Sequence, residues 1–162
     1  DEGGTTITRD RTVGFADLVG STQALLATTS ATELAAMVRE FEALAWDVVA
    51  RAGGRVVKLI GDEVMFVCET PAAACAAAVE LSERSTHPVR VGLAHGAVVG
   101  VHGDYYGAPV NLAARLVRAA EPSTVVVSET VREQASDFAF ALVDLGPLKG
   151  FPADTPAYRL GS

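Results

Sequence analysis

Apolar residues recur at helical spacing along Leu34, Met37, Val38, Phe41, Leu44, Ala45, Val48 and Val49. The stretch is bracketed by Ser30-Ala31-Thr32-Glu33, which fits a Ser-x-x-Glu capping box, and by Gly53-Gly54, so it predicts one long helix. Met37, Phe41 and Trp46 fall on its apolar stripe as core or dimer contacts. Thr12 to Leu18 reads as a strand, and the small polar cluster Gly20-Ser21-Thr22 after it marks the start of a further helix. Arg55 to Ile60 and Glu63 to Cys68 are β-rich runs joined by Gly61-Asp62, a two-residue hairpin signal with Asp62 at the tip. Thr70-Pro71 pairs an N-cap with proline at the first helical position, opening an Ala-rich helix to Arg84.

Beyond His87-Pro88 the pattern shortens. Val89 to Ala94 and Val98 to Val101 read as extended, Pro109 to Ala120 as helix, and Thr124 to Ser128 as a buried strand. Thr130 to Gln134 reads as a short helix, Phe138 to Leu145 as a strand, and Tyr158 to Leu160 as a closing sheet edge. Strand, helix, hairpin, helix, strand is the order of a ferredoxin-like split βαβ unit, an α+β sheet whose helices cover one face. The Gly/Thr-rich residues 1–10 are expected to be a flexible N-terminal segment, with a single domain over residues 11–160.

Composition narrows the class. The chain has 162 residues, 49% of them hydrophobic and 20% charged, which excludes disorder and suits one packed domain. Twenty acids against thirteen bases give a charge of -7, opposite to the basic surface that nucleic acid demands, so no nucleic-acid partner is expected. By charge alone a phosphate ligand is disfavoured too. Charged residues interrupt every apolar run before membrane-spanning length, and no secretory leader pattern is present, so neither membrane contact nor export is expected of this segment. The start at Asp1 rather than Met points to a piece of a longer gene product. Two cysteines, Cys68 and Cys75, are too few for a disulfide framework and fit buried thiols in a reducing cytoplasm.

The split unit lays its first strand beside the hairpin, which brings Asp17 and Asp62 to one sheet edge. Two carboxylates there suit a hard divalent cation that completes its shell with substrate phosphates. A turn-forming Asp62 and a helix-capping Asp17 are the alternative. Val19-Gly20-Ser21-Thr22 follows directly, and its backbone N–H groups are placed to receive a phosphate at a helix start, although the Walker pattern is absent. Asn111 and Arg115, four apart, share one face of the helix after Pro109: arginine suits a phosphoryl group that gains charge in a transition state, and asparagine can orient a hydroxyl. A solvated helix face accounts for the same pair.

Taken together, Phe15-Ala16-Asp17-Leu18-Val19-Gly20-Ser21-Thr22, Lys58-Leu59-Ile60-Gly61-Asp62-Glu63, and Gly103-Asp104-Tyr105-Tyr106-Gly107 with Val110-Asn111-Leu112-Ala113-Ala114-Arg115-Leu116 resemble, in order, the three signature blocks of the class III nucleotidyl cyclase catalytic domain. The resemblance implies that Asp17 and Asp62, with the Leu18 carbonyl, hold two Mg²⁺ or Mn²⁺ ions, that Asn111 holds the ribose, and that Arg115 stabilises the α-phosphoryl group. It makes Lys149 a candidate triphosphate contact. Lys58 and Asp104 fall on the family's base-specificity positions. An ammonium donor beside a carboxylate acceptor complements N1 and N6 of adenine and matches guanine poorly, which favours ATP over GTP. A surface ion pair is the plain alternative.

The resemblance further implies a head-to-tail homodimer whose sites are shared, one chain giving Asp17 and Asp62 and the other Lys58, Asp104, Asn111 and Arg115. It departs from the usual pattern at Ala94-His95-Gly96, where many members place histidine one residue earlier, and in the short stretch before Asp104. The expected reaction is ATP to 3′,5′-cyclic AMP and pyrophosphate. A guanylate cyclase, a diguanylate cyclase drawn from the Gly-Asp-Glu hairpin, and a non-catalytic nucleotide-binding module are the alternatives. His87, His95 and His102 have no metal-ligand spacing.

Overall fold

The computed structural model describes residues 7–19 and 30–161. The capping box forms as the sequence predicts: the Ser30 hydroxyl accepts from the Glu33 N–H at 3.1 Å, and the Glu33 carboxylate accepts from the Ser30 N–H at 3.2 Å. Helix α1 then runs Ala31–Arg51. The hairpin pairs β2 (Arg55–Ile60) with β3 (Glu63–Cys68), and Gly61 takes the positive φ of 62° that the tight turn requires. Thr70 caps α2 (Pro71–Arg84) by accepting from the Ala73 N–H at 3.2 Å. The remaining elements are β4 (Val89–Val101), β5 (Asp104–Tyr106), α3 (Ala108–Ala119), β6 (Val125–Ser128), α4 (Glu129–Gln134), β7 (Phe140–Val143) and β8 (Ala157–Leu160).

The first strand, β1, spans Ile7–Leu18. Four residues assigned by sequence to a loose N-terminal segment are therefore strand. Their partner is the reason: β4 is one continuous strand of 13 residues rather than two extended pieces, and it pairs with β1 from Ile7↔Gly100 to Leu18↔Val89. The charged Arg9 and Asp10 break the apolar pattern there, but a long antiparallel neighbour extends the strand through them.

The sheet runs β2-β3-β1-β4-β6-β8-β7, with β5 folded back on β4, and among the described residues only the β4–β6 pair is parallel. Its first four strands reproduce the split βαβ order expected from the sequence. The helices do not all lie on one face, however. Ala16, Leu18, Val64, Phe66, Val91 and Leu93 pack under α1, α2 and α4, whereas Val13, Phe15, Met65, Val67, Ala94 and Val98 pack under α3. Alternate residues of each strand thus serve two cores, because both faces are covered. On α1 Phe41 is buried, whereas Trp46 is 52% exposed and belongs to none of the buried clusters, so of the two roles read for it the core one is excluded.

α3 can lie close to the sheet because position 92 has no side chain. A Cβ there would stand 2.5 Å from the Val117 nitrogen and 2.6 Å from the Ala113 carbonyl oxygen, both backbone atoms that cannot rotate away. Gly92→Ala is expected to cost about 3 kcal/mol by forcing strand and helix apart, read as a lower urea midpoint with an unchanged slope.

Candidate active site

Asp17 lies directly opposite Glu63 on β3 and Arg90 on β4, so a row of three charged side chains crosses the sheet on the α3 face. Arg90 Nη2 donates to Asp17 Oδ2 at 2.5 Å, and Arg90 Nη1 donates to the Arg118 carbonyl in the last turn of α3 at 3.4 Å. Asp62, at the hairpin tip, is close enough for the Asp17 charge to act on it. Burial, then that charge, lift the Asp62 carboxyl above the ordinary aspartate value, while a backbone hydrogen bond and Arg90 pull the other way. Glu63 is lifted by burial, then by Asp17, against the pull of Arg118 and Arg90. A carboxyl whose folded pKa is raised stabilises the fold fully only below its unfolded pKa, and that contribution is lost as pH rises through the folded value. At neutral pH these acids thus carry an electrostatic cost that a cation, if bound, would offset.

The Asp17 and Asp62 carboxylates, with the Leu18 carbonyl that the resemblance adds, are hard oxygen donors of the kind that could hold Mg²⁺ or Mn²⁺. Among the described residues, no three His, Cys, Asp or Glu side chains are arranged around one point to hold an ion. Any ion bound here needs further oxygens from substrate or water.

Lys58 and Asp104 meet as the sequence predicts. Lys58 Nζ donates to Asp104 Oδ2 at 2.9 Å, and the other carboxylate oxygen accepts from the Tyr105 N–H at 2.8 Å. Burial raises the Asp104 pKa, but the hydrogen bonds from Lys58 and from the Tyr105 backbone outweigh it and hold the carboxyl below the usual range. Arg55 buttresses the pair by donating to the Gly103 carbonyl at 3.1 Å and lying 5.4 Å from the Tyr105 ring centre. The β4–β5 turn is what brings position 104 back toward β2.

Asn111 and Arg115 project from the outer face of α3, whose inner face buries Ala113, Leu116 and Val117. Arg118 continues their stripe one turn on, above Glu63 and Arg90. Lys149 is exposed on the β7–β8 connection, next to Leu148, which packs against Leu116 and Ala120 at the same end of α3.

The phosphate loop is corrected in one place. The Val19 N–H donates to the Pro88 carbonyl at 3.0 Å, closing β1 against the start of β4, and is spent there. Gly20, Ser21 and Thr22, and the helix expected to start at them, lie outside the described residues. Sequence reading passed over Glu63, Arg90 and Arg118. Glu63 and Arg90 become visible only through strand register, and Arg118 only through the packing of α3 over them; Arg90 sits in a strand between apolar Val89 and Val91, and that break in the run was the available signal.

Two carboxylates at one end of the sheet, an ammonium–carboxylate pair, and an asparagine and arginine on the outer face of an adjoining helix make up the candidate site on a ferredoxin-like sheet. The model of the adenylate and guanylate cyclase catalytic domain matches residues 6–160, and the chain belongs to that class III family. An uncharacterized protein of Mycobacterium tuberculosis is 42% identical over 91% of this chain and 40% of its own length. An adenylate cyclase of Glutamicibacter nicotianae is 39% identical over all of this chain and 42% of its own length. The chain therefore spans about two fifths of the curated relatives it matches. Among solved structures, the adenylate/guanylate cyclase/hydrolase of Silicibacter pomeroyi superposes with a TM-score of 0.85 at 25% identity, covering 98% of this chain and 99% of that one. The adenylyl cyclase CyaB of P. aeruginosa gives a TM-score of 0.78 at 22% identity, over 98% and 96% of the two chains, and supports the fold. No helix among the described residues is long and apolar enough to cross a membrane.

Proposed function

We infer that the chain converts ATP to 3′,5′-cyclic AMP and pyrophosphate at a site shared by two copies arranged head to tail. The observation that carries the choice of ATP is the Lys58–Asp104 pair at 2.9 Å. The ammonium offers a donor to adenine N1, and the carboxylate accepts from the N6 amino group. Two divalent ions, Mg²⁺ or Mn²⁺, held through Asp17, Asp62 and the Leu18 carbonyl, would supply the Lewis acidity that activates the ribose 3′-hydroxyl and neutralises the triphosphate. Asn111 orients the ribose. Arg115 meets the charge that grows on the α-phosphoryl oxygens as the 3′-oxygen bonds to the α-phosphorus, the bond to the bridging oxygen breaks, and pyrophosphate leaves in line. Lys149, and Gly20, Ser21 and Thr22 after Asp17, are the remaining candidates for phosphate contacts.

Sharing between copies is what the family resemblance implies, and the placement of Asn111 along α3 supports it. Asn111 lies seven residues before Arg118, about 10 Å up the helix axis from the end that overlies Asp17 and Glu63. It projects away from the sheet that carries those acids. A second chain placed head to tail brings its Asn111 and Arg115 to them and completes two equal sites. ATP as substrate and two unoxidised thiols suit the cytoplasm.

The test is incubation with ATP or GTP and Mn²⁺ or Mg²⁺, followed by identification of products. Cyclic AMP and pyrophosphate from ATP are expected. Predominant cyclic GMP would make the chain a guanylate cyclase, and no cyclic product from demonstrably dimeric protein would refute catalysis. Lys58→Glu with Asp104→Ser exchanges donor for acceptor at both positions. It is expected to shift the ATP:GTP ratio of kcat/KM toward GTP by at least about tenfold, whereas a plain surface ion pair predicts no shift.

A further inference from the structure

Arg90 holds two elements with one planar group. Nη2 donates to Asp17 on β1, and Nη1 donates to the Arg118 carbonyl at the end of α3. The pair is well enclosed, with Arg90 28% and Asp17 17% exposed, and the Arg90 Nε is buried without a hydrogen-bond partner among the described residues. The surroundings are otherwise acidic: Glu63 stands beside Asp17 in register, and Asp62 is within range of both Asp17 and Arg90, while Arg118 is the second cation. A divalent ion that takes Asp17 Oδ2 as a ligand shares that oxygen with Arg90 Nη2, which sits on it at 2.5 Å, and the two cations, brought this close, repel. Arginine does not lose its proton, so the guanidinium cannot yield by neutralising and must move. Because both donors sit on one rigid plane, a movement that frees Asp17 also withdraws Nη1 from α3.

We propose that Arg90 and a divalent cation are alternative partners of Asp17, so that an ion arriving at Asp17 displaces Arg90 and releases its hold on the last turn of α3. This rests on the reading of Asp17 as a metal ligand and adds a consequence to it. Arg90 is a positioning residue that ties loading of the ion to the helix carrying Asn111 and Arg115. The guanidinium also lowers ion affinity while it remains paired, so the site discriminates against a cation too weakly bound to displace it.

The test is titration of the chain with Mn²⁺ alone, without nucleotide, following free Mn²⁺ by electron paramagnetic resonance. Arg90→Gln removes the competing charge and is expected to bind Mn²⁺ about tenfold more tightly than wild type, while Asp17→Asn loses that binding. In the wild-type chain, Mn²⁺ should alter backbone hydrogen exchange across residues 116–120, with no such change in Asp17→Asn; this second readout stands if Arg90→Gln does not fold. Equal or weaker Mn²⁺ binding by Arg90→Gln, or unaltered exchange at residues 116–120, overturns the proposal. When wild type binds Mn²⁺ and Asp17→Asn does not, such a result leaves the metal-ligand reading intact. A wild-type chain that binds no Mn²⁺ brings down both.

Discussion

Asp17→Ala is expected to lower kcat/KM for cyclisation by at least about 10³-fold, since a divalent ion at the transferring phosphoryl group supplies several kcal/mol of charge stabilisation. Asn111→Ala should also be inactive or nearly so, for a different reason: it leaves the acids intact and misplaces the ribose. The two defects are complementary if sites are shared. In an equal mixture half of the dimers are mixed, and in each of these one site takes its acids from the Asn111→Ala chain and its asparagine from the Asp17→Ala chain. Recovery of about a quarter of wild-type activity is therefore expected. A mixture that stays as inactive as its components, with mixed dimers shown to be present, would place all the catalytic groups within one protomer.

Arg115→Ala is expected to reduce kcat by about 10²–10³-fold while leaving the KM for ATP and the affinity for a non-hydrolysable analogue within a few-fold of wild type. The asymmetry is the informative part. A guanidinium that serves the α-phosphoryl group mainly when its charge is highest contributes to the transition state and little to the ground state. A non-catalytic nucleotide-binding module would show the reverse, a loss of affinity with no rate to lose. Calorimetric binding beside single-turnover kinetics separates the two, and because Arg115 is on the outer face of α3, the substitution should leave the melting temperature nearly unchanged.

Features that depend on a few adjacent residues were legible in the sequence. The capping box at Ser30, the Gly61-Asp62 turn and the Thr70-Pro71 start each satisfy local donors or a local φ, so nearby residues suffice to specify them. Asp17, Asp62, Lys58 and Asp104 were legible for a second reason: each belongs to a short block with a family resemblance, and topology then brought Lys58 and Asp104 together across 46 positions. The extent of β1 was hidden because strand length depends on the neighbour's length, which composition does not encode. The face chosen by α3 was hidden because its inner contacts depend on the absence of a side chain at Gly92. Arg90 and Glu63 were missed because a charged residue in a strand gains meaning only when register sets it beside another, and Val19 because the carbonyl that takes its N–H lies 69 residues away at Pro88.

The exposure of Trp46 has a practical side. It is the only tryptophan of the chain, and half of its surface meets solvent in the middle of α1. Its emission in the native protein should already lie near that of a hydrated indole, so unfolding will move the spectrum little and fluorescence melting curves will have a small amplitude. The same placement makes it a reporter of another kind: a blue shift at constant temperature would register whatever comes to rest on the outside of α1, without any added dye.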